Sequence, residues 1–212
     1  AKVQIRGFSI NGKGKFGALG YNLGDYSIDG EAAFQIKSFA LKVRALSQMV
    51  EPNFLEQRMY SPAVEWNNSF QKISVNRLGG EAHIKIGNHQ LNAKANLETI
   101  GNLVYFTNER DVAQANTLTT LLQIRADYVF ASKYFGGNTT VTLQRSSDQQ
   151  VLPRPTTATT GNIYARFRLF KKNLGVQVGA RTFWYSSFKS PRYTPYTRQW
   201  HNTDQRFEMT AP

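Results

Sequence analysis

The chain has 212 residues, enough for one domain of ordinary size, and no cysteine, which excludes a disulfide framework and a Cys-ligated zinc site. Lys and Arg outnumber Asp and Glu by 26 to 14, and the formal charge of +12 leaves three classes of partner open: nucleic acid, anionic lipid, or a pore lined with positive charge. No run approaches the roughly 18 consecutive apolar residues of a transmembrane helix.

The N-terminal Ala1-Lys2-Val3-Gln4-Ile5-Arg6 lacks the charged-then-apolar pattern of a signal peptide, so we expect a removed signal or a start inside a longer chain. Beyond it the dominant pattern is alternation with period 2, the mark of a strand with two different faces. Phe39, Leu41, Val43 and Ala45 alternate with Lys42 and Arg44. Ala82, Ile84 and Ile86 stand against Glu81, His83 and Lys85, and Leu91, Ala93, Ala95 and Leu97 against Asn92, Lys94 and Asn96. Leu122, Ile124, Ala126 and Tyr128 oppose Gln123, Arg125 and Asp127. Ile163, Ala165, Phe167 and Leu169 flank Tyr164, Arg166 and Arg168, and Leu174, Val176, Val178 and Ala180 oppose Gln177 and Arg181. No window shows helical spacing, so the chain is expected to be all-β. The strands fall at roughly 2–12, 19–37, 39–49, 63–87, 90–107, 116–131, 136–147, 160–171, 174–187 and 199–210.

The connections alternate in length. Short links lie near Lys37-Ser38, Gly87 to His89, Ser132 to Gly136 and Lys171 to Asn173; long ones lie near 49–62, 107–116, 147–160 and 187–198. The long links hold Pro52, Pro62, Pro153, Pro155, Pro191 and Pro195. Such alternation gathers the tight turns at one end of a sheet and the long loops at the other, as in outer-membrane barrels. The expected fold is therefore an antiparallel up-and-down transmembrane β-barrel of about ten strands, a single domain over 1–212 or part of a larger barrel. A soluble barrel shows the same alternation. The membrane is favoured by the long strands, by Ala and Gly mixed into the apolar face, and by aromatics towards strand ends (Tyr105 and Phe106, Tyr134 and Phe135, Trp184 and Tyr185), where interfacial girdles sit.

No constellation for catalysis is visible. His83, His89 and His201 lack metal-ligand spacing, no Gly-x-Ser-x-Gly elbow occurs, and Gly12-Lys13-Gly14 and Gly79-Gly80 do not form a phosphate loop. Gly79-Gly80 reads instead as a bulge or bend in a long strand. Neither an enzyme nor a cofactor is expected. If the apolar parity faces lipid, the other parity lines a lumen with Arg6, Lys37, Lys42, Arg44, Lys85, Lys94, Arg125, Arg166, Arg168 and Arg181, against Glu81, Glu98 and Asp127. Such an excess attracts anions, unless acidic groups elsewhere or a plug neutralise it.

Glu51-Pro52-Asn53-Phe54-Leu55, then Tyr60, Trp66-Asn67-Asn68 and Phe70, resembles a stretch of the "putative porin" family of Bacteroidetes-type outer membranes. Leu78-Gly79-Gly80-Glu81 is similar to that family too, and Gln149-Gln150-Val151-Leu152-Pro153-Arg154-Pro155 resembles its Gln-x-Val-Leu-Pro-x-Pro loop. Leu169-Phe170-Lys171-Lys172 with Val176-Gln177-Val178-Gly179-Ala180 resembles the next hairpin, and Tyr193 to His201 the aromatic loop that follows. The resemblance covers most of 15–201 and implies diffusion of small hydrophilic solutes through an outer-membrane pore, in a barrel larger than ten strands. The chain ends in Met209-Thr210-Ala211-Pro212 without a terminal aromatic, which again fits a segment of a larger barrel. Expected partners are outer-membrane lipid and lipopolysaccharide, with outer-membrane protein or lipoprotein partners if the barrel is a non-conducting scaffold or a subunit of a secretion complex. A soluble β-protein binding single-stranded nucleic acid is disfavoured by strand length, so no nucleic acid is expected.

Overall fold

A computed structural model describes residues 2–5, 7–171 and 173–209, and for residues 2–5 the backbone alone. Its framework is one ten-stranded antiparallel sheet in which strands adjacent in the chain pair with each other. The strands are β1 (Lys2–Ile5), β2 (Phe8–Phe16), β3 (Tyr26–Ile36), β4 (Phe39–Val50), β5 (Ile73–Ile86), β6 (His89–Gly101), β7 (Thr119–Ala131), β8 (Phe135–Ser146), β9 (Thr157–Leu169) and β10 (Leu174–Tyr185). Tight turns at one end, such as Lys37-Ser38 with Lys37 at φ 44°, join β3 to β4, β5 to β6, β7 to β8 and β9 to β10. Long connections over 17–25, 51–72, 102–118 and 147–156 gather at the other end.

The register carries the alternation across the whole sheet. Phe34 pairs with Leu41, Leu41 with Ala82, Ala82 with Ala93, Ala93 with Ala126 and Ala126 with Val141, so one face is a continuous apolar surface. The opposite face carries Lys42, Glu81, Lys94, Arg125 and Thr142 along the next row. No second sheet or helix layer covers the apolar face among the described residues, and its leucines are more open than the carboxylates of the opposite face. Leu97 and Leu122 are 46% and 43% exposed. The side chains of Glu98 and Asp127 on the polar face are only 16% and 19% exposed. Side chains on a concave surface converge and shield one another, so the sheet curves towards its polar side.

Several expectations are corrected. The segment expected as one strand over 2–12 is two strands, β1 and β2, which pair antiparallel with Ile5 opposite Phe8. The strand expected at 199–210 is not in the main sheet: Gln199–His201 pairs with Arg192–Thr194, and Arg206–Phe207 with Phe188–Lys189. Residues 63–72 form a loop with a small Arg58–Tyr60/Glu65–Asn67 hairpin, and Val104–Phe106 pairs with Val112–Gln114 in a hairpin apart from β6. Prolines and polar residues interrupt the apolar pattern there, so loop packing decides the conformation. No bulge occurs at Gly79-Gly80, which pair in register with Arg44 and Val43 on one side and Asn96 and Ala95 on the other. Gly79 makes room for the Asn96 side chain, whose Cγ a Cβ at Gly79 would meet at 3.4 Å. Phe106 belongs to no girdle: it is buried in the loops, edge-on to Trp66. The ten strands form one open sheet: among the described residues no pairing joins β1 to β10.

Tyr164 locks three strands together on the polar face. Its cross-strand neighbours are Gly136 and Gly179, and its ring lies over the first while its Cβ sits against the second. A Cβ on Gly136 would fall 2.7 Å from ring atom Cε2 of Tyr164. Gly136→Val should therefore destabilise the folded sheet by about 1–3 kcal/mol, despite the better strand propensity of valine. Adding Tyr164→Ala should recover part of that loss, a non-additivity that urea unfolding in lipid vesicles measures directly.

Candidate functional site

The candidate site is the polar, concave face and the loops that close over one end of it. The face is polar because each strand presents every second side chain to it, and the unbroken register stacks those side chains into rows. Four of the basic residues expected there are bound to carboxylates. Lys42 lies 3.8 Å from Glu31, Lys94 Nζ lies 3.1 Å from Glu81, Arg44 Nε donates to Asp29 at 2.8 Å, and Arg125 forks onto Asp127 at 2.7–3.0 Å. Arg77 donates to Glu98 at 2.7 Å, and Thr140 donates to Asp127 at 2.6 Å. Between these pairs, Arg44, Leu46, Arg77, Gly79, Asn96, Glu98, Leu121 and Gln123 line a concavity of about 360 Å³.

The other expected residues divide differently. Lys85, Arg166, Arg168 and Arg181 stand on the polar face with no carboxylate partner among the described residues. Lys37 is in the tight turn between β3 and β4, off the strand face, because the turn takes it out of the pleat. Arg6 lies outside the described residues. Lys13, Lys15 and Arg77, with the acids Asp29 and Glu31, share the face and were missed. Gly12, Gly14 and Gly30 occupy the opposite parity there, so no apolar alternation marks the strands. Extending the parity of Lys42 and Arg44 through the β3–β4 turn would have found the two acids. Among the described residues no three His, Asp or Glu side chains converge as metal ligands.

At the long-loop end the polar face is covered. Val75, Ile100, Thr119 and Ser146 are neighbours on that face and all are buried, Thr119 completely. Two knots hold the loops over them. In the first, Lys72 bridges Asp25 and Glu51 and donates to the carbonyl of Leu23 at 2.8 Å, and its ammonium is held charged above the usual lysine value mainly by the Asp25 hydrogen bond. Beside it Asn53 caps the short helix Phe54–Gln57, with Glu56 reaching back to the Asn53 amide, and Trp66 Nε1 donates to the carbonyl of Leu55 at 2.9 Å. In the second knot Asn202 joins three loops: its backbone N–H donates to Phe106 and its side chain to the carbonyls of Gln150 and Val151, at 2.9, 2.6 and 3.0 Å.

His201 anchors that second knot, buried with its Nδ1 2.8 Å from Thr194 Oγ1. Burial, reinforced by the nearby charges of Arg110 and Arg192, holds its imidazole below the ordinary value of 6.5. The folded loops thus bind a proton less readily than the released ones. Their stability is full above 6.5 and falls as pH drops through that value towards the folded-state pKa. The protection factor of the Asn202 amide, the intrinsic exchange rate over the observed one at the same pH, should fall as pH drops below about 6.5, and His201→Gln should remove that pH dependence.

A family model described as "Putative porin" matches residues 1–211. Among curated proteins the chain finds no match.

Proposed function

The chain belongs to the "Putative porin" family, and from that premise we propose that it is the wall of an outer-membrane channel for small hydrophilic solutes, with a mild preference for anions. Family membership speaks for a porin-like role at the outer membrane in general terms. The finer reading is carried by one observation: leucines on the apolar face are more exposed than carboxylates on the polar one. A soluble barrel buries the apolar face inside. A wall with apolar side chains outside and ionised ones inside suits lipid around it and water within.

In hydrocarbon the open edges of β1 and β10 would each leave a row of unpaired N–H and C=O groups, at several kcal/mol per group. The reading therefore has the ten strands forming all or part of a closed barrel. Strand lengths agree: β3 to β10 have 11 to 14 residues, against roughly 9–11 for a tilted strand crossing the bilayer. The apolar belt would meet the acyl chains of outer-membrane lipid and lipopolysaccharide. Nothing in this reading calls for catalysis or a cofactor.

The loops knotted over the polar face favour a second reading, a non-conducting barrel that serves as scaffold or subunit for a surface lipoprotein or a secretion assembly. Conductance separates the two. Full-length protein, purified in detergent and inserted into a planar bilayer under asymmetric KCl, should give discrete current steps with a reversal potential on the anion side. A folded, heat-modifiable barrel that passes no current would overturn the channel and leave the scaffold.

A further inference from the structure

The positive charge of the polar face is unevenly compensated. From β3 to β7 its cations, Lys85 apart, are paired with acids: Lys42 with Glu31, Arg44 with Asp29, Arg77 with Glu98, Lys94 with Glu81 and Arg125 with Asp127. Beyond β7 the pattern stops. No Asp or Glu occurs between residues 149 and 203, a span that includes all of β9 and β10. Arg166, Arg168 and Arg181 project from these two strands onto the polar face, opposite Gln177, Gly175 and Asn162. At about 3.3 Å per residue, the levels of residues 162 and 168 lie roughly 20 Å apart, so the three cations form a strip along the wall.

Arg166 is both fixed and uncompensated. Its Nε donates to Gln177 Oε1 and its Nη2 to Tyr164 Oη, each at 3.0 Å, and its guanidinium lies 4.6 Å from the centre of the Tyr164 ring. Tyr164 is itself held by Gly136 and Gly179. All these partners are neutral, so the guanidinium is oriented without being discharged and keeps N–H groups free. A guanidinium fork matches the paired oxygens of carboxylate and phosphate.

We infer that small solutes bearing carboxylate or phosphate groups pass along β9 and β10, handed between Arg181, Arg166 and Arg168, an assignment that rests on the channel reading above. The paired side of the wall, with its charges cancelled locally, contributes little to the field that draws them in.

The test uses the full chain in planar bilayers, with reversal potential under asymmetric KCl and current block by succinate and by inorganic phosphate as readouts. Replacing all three arginines by glutamine should lower the anion-to-cation permeability ratio several-fold, towards unity, and abolish block. Replacing all three by lysine should keep the ratio, because the charge remains, and weaken block, because the fork is lost. If the glutamine variant conducts with the wild-type ratio and block, the strip is refuted while the channel stands. If the wild type passes no current, the channel reading fails and calorimetric titration of succinate into detergent-solubilised protein decides the strip. Binding heat that disappears with the three arginines supports an anion site; no heat overturns it.

Discussion

Everything in this molecule depends on one geometric constraint, the unbroken hydrogen-bonded register of ten strands. Because side chains alternate with period 2, a slip of one residue between β6 and β7 would put Arg125 beside Ala95 and turn the ionised groups of β7 to β10 towards the apolar face of the other strands. The register also aligns rows that no single strand contains. Lys42, Glu81, Lys94 and Arg125 meet only because four strands bring them to one level. Charge pairing then reinforces the register, since the cross-strand pairs Arg44–Asp29, Arg77–Glu98 and Lys94–Glu81 are satisfied in one alignment alone.

The wall and the loops are held by different forces. Along the wall there is no conventional core: the large apolar side chains of the open face, such as Leu78 and Ile163, are each 59% exposed. Backbone hydrogen bonds, cross-strand pairs and the surrounding solvent must carry its stability. The loop end is packed like a water-soluble protein. Phe106, Val112, Ala115 and Val151 are buried there with Thr194, Thr197, His201 and Thr203. Family-like stretches noticed in the sequence take on physical meaning at this end. Asn53 caps a helix in one of them, and the carbonyls of Gln150 and Val151 receive Asn202 in another.

Electrostatically the polar face has two parts. Where Asp29, Glu31, Glu81, Glu98 and Asp127 interleave with cations, the pairing limits the cost of holding charge in a partly enclosed space. On β9 and β10 no carboxylate is present, and neutral acceptors, Gln177 and Tyr164, orient a guanidinium whose charge stays available. A wall built this way is structurally quiet on one side and electrostatically active on the other.

The sequence by itself determined the all-β antiparallel class, the two faces and the alternation of short turns with long loops. All of these are local consequences of period-2 patterning and turn chemistry, as in Leu91 to Leu97 and Lys37-Ser38. It also showed the absence of acids over residues 149–203, although that stretch was not separated from the rest of the cationic face. Only the tertiary structure decided which cations are neutralised, because Arg44 and Asp29 lie 15 residues apart and meet through register. It alone showed that the loops close over the polar face, through contacts such as Asn108 with Asp204, 96 positions apart. It also replaced a strand expected at 199–210 by loop hairpins and divided 2–12 into two strands. Side-chain parity is written residue by residue along the chain, whereas the partner of a charge or a loop depends on which distant backbone the register brings beside it.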